Sequence, residues 1–98
     1  MTTFSREPSI HSFSKRLQID AHFVTFYFNF FEITEGSYYL ISVEDGNRKM
    51  HYFQMKKEGA AWILVNPLMI QFWIRKSEKQ LSDIITQQLL LMKKDKQS

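Results

Sequence analysis

Histidine is the side chain that most often carries acid–base and metal chemistry, and this chain of 98 residues has three: His11, His22 and His51. None is spaced as HxH or HxxxH, the patterns that bring two imidazoles to one metal ion. The chain has no cysteine, which excludes thiolate catalysis, disulfides and Cys-based zinc sites. We therefore expect structural or surface roles for the histidines, and no metal or other cofactor.

Nucleophile and phosphate-binding motifs are also missing from the sequence. There is no GxSxG segment, and the three glycines, Gly36, Gly46 and Gly59, each fall in a cluster typical of a turn. The adjacent carboxylates Glu44 and Asp45 belong to one of these clusters and have no partner arranged for acid–base catalysis. The sequence predicts a protein that is not an enzyme.

Aromatic rings and basic doublets are the remaining groups that could bind a partner. The chain has 9 Phe, 4 Tyr and 2 Trp, and its net charge is +3. In proteins that bind single-stranded nucleic acid, rings stack on bases while lysine and arginine contact phosphates. Six residues are the candidates for this role, or for contact with another partner: Tyr38, Tyr52, Arg48, Lys49, Lys56 and Lys57. Neighbouring residues of a strand point to opposite faces, so the doublets could equally form a solvated rim.

The elements that must position these residues are strands. Residues 38–65 contain three runs rich in Tyr, Phe, Ile, Val and Trp, separated by clusters around Gly46 and Gly59, which is the pattern of an antiparallel meander. Two strands are predicted before it, from the alternation in residues 12–20 and from the aromatic and β-branched run of residues 22–33.

The hairpin around Gly46 has two registers consistent with the sequence. A two-residue turn places Tyr39 and Ile41 on one face with Tyr52, whereas a three-residue loop places them with Phe53 instead. Residue types alone do not decide between these registers.

A helical region is predicted after the last strand. Asn66 and Pro67 end that strand, and residues 68–74 fit either a short helix or a strand, with the Asn-Pro cap favouring the helix. Ser77 and Gln80 have the spacing of a capping box. An apolar stripe at helical spacing then follows, formed by Leu81, Ile84, Ile85, Gln88, Leu89 and Met92, while Leu90 and Leu91 lie off the stripe.

These elements predict an α+β fold, in which an antiparallel β-meander of four to five strands has a C-terminal α-helix packed on one face. We expect residues 1–11 to form a flexible N-terminal arm and residues 12–98 to form a single domain. No apolar run has the length of a membrane span, no secretory signal is visible, and a cytoplasmic location is expected.

Both faces of the predicted sheet carry large apolar side chains. In residues 22–33 one parity holds Val24, Phe26, Phe28 and Phe30, and the other holds Phe23, Tyr27, Phe31 and Ile33. A sheet with one solvated face should alternate apolar and polar residues. One helix covers only one face, so the sequence predicts that the second face meets another copy of the chain in a homodimer.

The passage from a last strand through Asn66-Pro67 into a C-terminal helix resembles the single-stranded-DNA-binding transcriptional coactivators, which dimerise through that helix. The resemblance covers at most residues 33–87, and the basic, glycine-rich strand loops of that family are not present here. It implies single-stranded nucleic-acid binding. Three functions are therefore expected in this order: a non-enzymatic interaction or dimerising module, a single-stranded nucleic-acid binder, and a binder of a small apolar ligand between sheet and helix.

Overall fold

Five antiparallel strands form the sheet in the computed structural model, which describes residues 12–97, with side chains to residue 91. The strands are β1 (Ser12–Ile19), β2 (His22–Ile33), β3 (Gly36–Glu44), β4 (Met50–Glu58) and β5 (Ala61–Leu64). Each strand pairs with its neighbour in sequence. The predicted meander of four to five strands is confirmed, and it has five. The predicted N-terminal arm, residues 1–11, lies outside the described residues.

One face of the sheet, the core face, carries alternate residues of every strand. The register places Phe26 opposite Val43, and Ile41 opposite Phe53. These side chains are buried, because aromatic and β-branched residues with a period of two present one continuous apolar surface on a pleated sheet.

Tyr39 lies at the centre of the core. Its ring centroid is 5.1 Å from that of Trp62 and 5.8 Å from that of Phe13, both in edge-on geometry, so rings from β1, β3 and β5 meet at this point. The Phe13 ring also stacks on Phe28 at 4.5 Å. Burial raises the pKa of Tyr39 to about 12, which keeps the phenol protonated.

The segment between β5 and the long helix is helical, as the Asn-Pro step favours, but it is divided. A 3-10 helix (Pro67–Met69) is followed by the single turn α1 (Phe72–Arg75). Asn66 has a left-handed φ of 53° and makes no side-chain cap bond, so its contribution is a sharp change of chain direction. Ile74 on α1 is buried and attaches the segment to the core.

The long helix α2 (Glu78–Gln97) packs on the core face and lies along β5. Leu81 and Ile85 are fully buried, whereas Leu90 and Leu91 are exposed, which confirms the predicted stripe for these residues. The helix begins after Ser77, whose carbonyl accepts a bond from the Leu81 N–H at 2.8 Å. The Ser77 hydroxyl donates to the carbonyl of Trp73 at 3.5 Å.

Side chains of α2 also cover the free edge of β5. The N–H of Trp62 donates to Ser82 Oγ at 3.0 Å, and the N–H of Leu64 donates to Glu78 Oε2 at 2.8 Å. Edge strands normally leave alternate N–H groups unpaired. Here the helix supplies acceptors one turn apart that match two such groups.

Candidate functional site

The face of the sheet opposite the core, called the outer face below, is the main candidate for function. It carries the alternate residues of all five strands that point away from α2. Its large exposed apolar residues are Phe23, Tyr27, Ile33, Leu40, Met50 and Tyr52. Tyr52 is 68% exposed and Phe23 is 59% exposed, values far from those of core residues. The structure therefore confirms that both faces of the sheet carry large apolar side chains.

Two aromatic contacts on the outer face join neighbouring strands, one between two rings and one between a ring and a cation. Phe31 and Tyr38 lie on adjacent strands with centroids 5.3 Å apart and planes 11° apart. Lys56 is directly opposite Tyr38 on the next strand. On β1 and β2, the guanidinium of Arg16 lies 4.7 Å from the centroid of Phe23, which is cation–π geometry.

The charges of the outer face balance. Among its described residues the basic side chains are Arg16 and Lys56 and the acidic ones are Glu44 and Glu58, so two positive and two negative charges sum to zero. Lys56 Nζ lies 3.7 Å from Glu58 Oε2. The whole chain carries +3, so its excess positive charge lies elsewhere.

The six residues predicted to contact nucleic acid or a partner do not form one patch. Tyr38, Tyr52 and Lys56 lie on the outer face, whereas Lys57 opposes Trp62 and has the parity of the core face. The two remaining bases, Arg48 and Lys49, lie in the β3–β4 loop. The expectation that doublets on a strand divide between the faces is confirmed for Lys56 and Lys57.

Sequence reasoning did not select several residues of the outer face for the site: Arg16, Phe23, Tyr27, Phe31, Leu40 and Met50. The shared parity of Phe23, Tyr27 and Phe31 in β2 can be seen in the sequence, but which parity is buried depends on the register of all five strands. The β3–β4 loop determines part of that register.

The β3–β4 hairpin has the three-residue loop, the second of the two registers left open. The N–H of Asp45 donates to the carbonyl of Lys49 at 2.9 Å, and Arg48 has a left-handed φ of 64°. A type I turn followed by a left-handed residue is typical of such loops. Val43 consequently pairs with His51, and Tyr39 with Met55.

The carboxylate of Asp45 organises this loop. Its Oδ1 accepts the N–H groups of Asn47 at 2.8 Å and Lys49 at 3.0 Å, while its Oδ2 lies 2.8 Å from His51 Nε2. The hydrogen bond from His51, followed by that from the Lys49 amide, holds the pKa of Asp45 below its ordinary value. The His51 ring also meets Trp73 edge-on at 5.8 Å, which links the loop to α1.

A cleft lies beside this loop, because β2 and β3 pair only as far as Phe26 and Val43. The first four residues of β2 continue with β1 alone. The resulting cavity of about 610 Å³ is lined by residues of the β1–β2 hairpin, the β3–β4 loop and Trp73. It differs in position from the apolar ligand site expected between sheet and helix, where Tyr39, Leu81 and Ile85 are fully buried.

The described residues contain neither a candidate metal cluster nor a candidate membrane span. No cluster of three or more His, Cys, Asp or Glu side chains in residues 12–91 is arranged to hold a metal ion. Within the described part of the chain, no helix has the length and apolar character required to cross a bilayer.

Comparison with models of known protein families, with curated proteins and with solved structures finds no match for this chain. The resemblance at Asn66-Pro67 therefore stays one of element order.

Proposed function

We propose that this protein is a small non-enzymatic interaction module whose contact surface is the outer face of the sheet. The observation that carries the proposal is that rings as exposed as Tyr52 and Phe23 line a face that α2 does not cover. Large exposed apolar residues that share one face of a sheet often mark an interaction site.

The composition of the face favours a protein partner. Protein interfaces are enriched in Tyr, Phe and Met and depleted in charged residues at their centre. On the outer face the central strand β3 contributes Tyr38, Leu40 and Ser42, and the flanking strands add Tyr27 and Tyr52. The proposal includes a cytoplasmic location. Disulfides are rare in cytosolic proteins, and a chain without cysteine forms none.

A photo-crosslinking amino acid tests this assignment. Benzoylphenylalanine at Tyr52 samples the outer face, and the same residue at Lys79, exposed on α2, is the matched control. In cells we expect a covalent protein adduct from position 52 and none from position 79. Adducts at neither position, or at position 79 alone, would contradict an interaction module that uses this face.

Single-stranded nucleic-acid binding is the second candidate, and one local observation favours it. Phe31, Tyr38 and Lys56 form a continuous cross-strand row, which places two stacked rings next to a cation, the combination that binds a base and its phosphate. The zero net charge of the whole face is the reason for ranking it second.

Fluorescence anisotropy with labelled oligothymidine at two salt concentrations tests this candidate. If a strand lies on the outer face, Lys56→Gln should reduce the slope of log K against log salt by about 0.7. Lys57→Gln should leave the slope unchanged, because Lys57 has the opposite parity. No binding at physiological salt is the outcome expected from the first candidate.

A further inference from the structure

We infer that the partner of the outer face is a second copy of this chain, packed face to face across a two-fold axis. This inference rests on the proposed function, since it names the occupant of the same surface. Three ways exist for this sheet to add a second sheet: at the β5 edge, at the β1 edge, or across the outer face. The structure disfavours the first two.

The β5 edge is already occupied by the chain itself. Its Trp62 and Leu64 N–H groups donate to Ser82 and Glu78 of α2, so an incoming strand would have to displace the helix. Displacement would also remove the fully buried Leu81 and Ile85 from the core. Strand addition at this edge is therefore opposed by the stability of the fold.

The β1 edge has one strand neighbour, β2, but its sequence opposes self-pairing. Lys15 and Arg16 stand at the middle of the eight-residue strand Ser12–Ile19. A two-fold antiparallel pairing sets residues of the same parity opposite each other, so a register centred on the middle of β1 would place Lys15 opposite Lys15, or Arg16 opposite Arg16, of the second copy. Like charges placed directly opposite are destabilising, and basic residues on edge strands are a common protection against such pairing.

The outer face has the charge and the size that a two-fold interface requires. Its charges sum to zero, so two copies of the face do not repel each other. Strands about 4.8 Å apart that average about eight residues give a sheet of five strands a plan area of roughly 650 Å². A standard interface buries about 800 Å² of accessible surface per partner, so most of the outer face would take part in the contact.

Sedimentation equilibrium on the full chain tests the inference, with circular dichroism to establish that each variant is folded. Wild type should sediment at twice its 11.8 kDa mass at micromolar concentration. Tyr52→Asp should weaken dimerisation at least about tenfold, since truncating a central aromatic and adding a charge both act on the interface. Leu90→Asp, on an exposed leucine of α2, is the matched control and should leave the dimer unchanged.

A third variant separates face packing from edge pairing. Lys15→Gln lowers the positive charge where two copies of β1 would meet and would strengthen an edge-paired dimer, whereas a face-packed dimer should be unaffected, because Lys15 has the parity of the core face. A dimer that Lys15→Gln strengthens, or that only Leu90→Asp dissociates, would overturn the inference.

The same measurements separate failure of the inference from failure of the proposed function. A monomeric wild type together with a Tyr52 crosslink to a different protein would overturn the second copy as partner and leave the interaction module in place. A monomer with no crosslink at all would contradict both.

Discussion

Strand β2 provides a direct comparison of the two faces, because its neighbouring aromatic residues have opposite environments. Phe26 and Phe28 have 0% exposure, while Tyr27 between them is 47% exposed. The residue types on the two parities are alike, so the difference comes from what packs on each face. On the core face Phe28 contacts the rings of Phe13 and Tyr39, and Phe26 contacts that of Phe53. An aromatic strand therefore does not by itself indicate which of its two faces is buried.

The largest expected effect tests whether α2 covers the core face. Ile85→Asp places a charge in a fully buried position and should cost more than about 4 kcal/mol, enough to unfold a small domain. Gln87→Asp, at an exposed position of the same helix, should be tolerated. Thermal unfolding followed by circular dichroism compares the two variants. Equal melting temperatures would mean that the helix does not dock on the sheet.

Adjacent residues of β2 provide a second test of the difference between the faces. Phe28→Ala should lower the free energy of unfolding by about 3–5 kcal/mol, because it leaves a cavity in the core. Tyr27→Ala should change it by less than about 1 kcal/mol at concentrations where the chain is monomeric. Urea unfolding at two protein concentrations measures both. Similar losses for the two variants would show that Tyr27 is as constrained as Phe28.

The cover that α2 gives to β5 should have a smaller effect. Ser82→Ala leaves the buried N–H of Trp62 without its acceptor and should cost about 1–3 kcal/mol. Thr86→Val is the control, since the Thr86 hydroxyl donates to the Ser82 carbonyl within the helix at 2.9 Å and should contribute less. Urea midpoints of the two variants provide the comparison. A larger loss for Thr86→Val would argue against the edge contact as the stabilising element.

The smallest expected effect depends on pH and concerns the β3–β4 loop. The pKa of Asp45 is lowered in the folded protein, chiefly by the His51 hydrogen bond, so its stabilisation is present above the unfolded-state pKa of about 3.9 and is lost as pH falls through the folded value. Wild type should melt above Asp45→Asn near neutral pH, and the gap should narrow below about pH 4.

The control for this prediction is Glu44→Gln, which removes a neighbouring exposed carboxylate without removing the hydrogen bonds of the loop. Its melting temperature should stay near that of wild type near neutral pH. A gap between wild type and Asp45→Asn that widens in acid would contradict the assigned role of Asp45.

The strands were predictable from the sequence because period-two patterns are local. His22–Ile33 was predicted with the bounds that the structure gives. The hairpin register was not predictable, since the left-handed position is taken by Arg48 and not by Gly46. Glycine adopts a left-handed conformation with the least steric strain, so Gly46 is the position that the sequence suggests. The conformation of the loop is instead set by the hydrogen bonds that the Asp45 side chain accepts.

The candidate site was predictable only in part, for a physical reason. Of the six predicted contact residues, Tyr38, Tyr52 and Lys56 share the outer face. Arg48, Lys49 and Lys57 were grouped with them by their proximity in sequence. Sharing a face depends on parity across paired strands, which a register shift of one residue inverts. Residues such as Arg16 and Phe23, whose cation–π contact joins two strands, become neighbours only once pairing is known.

The contacts between α2 and β5 also have a consequence for hydrogen exchange. The amides of Trp62 and Leu64 are protected by side chains of the helix, whereas Ile63 between them belongs to the ladder with β4. Excursions that release α2 should therefore expose alternate amides of one strand to deuterium while the ladder stays closed. The helix would then open as a unit of its own, while β5 stays paired with the four strands before it.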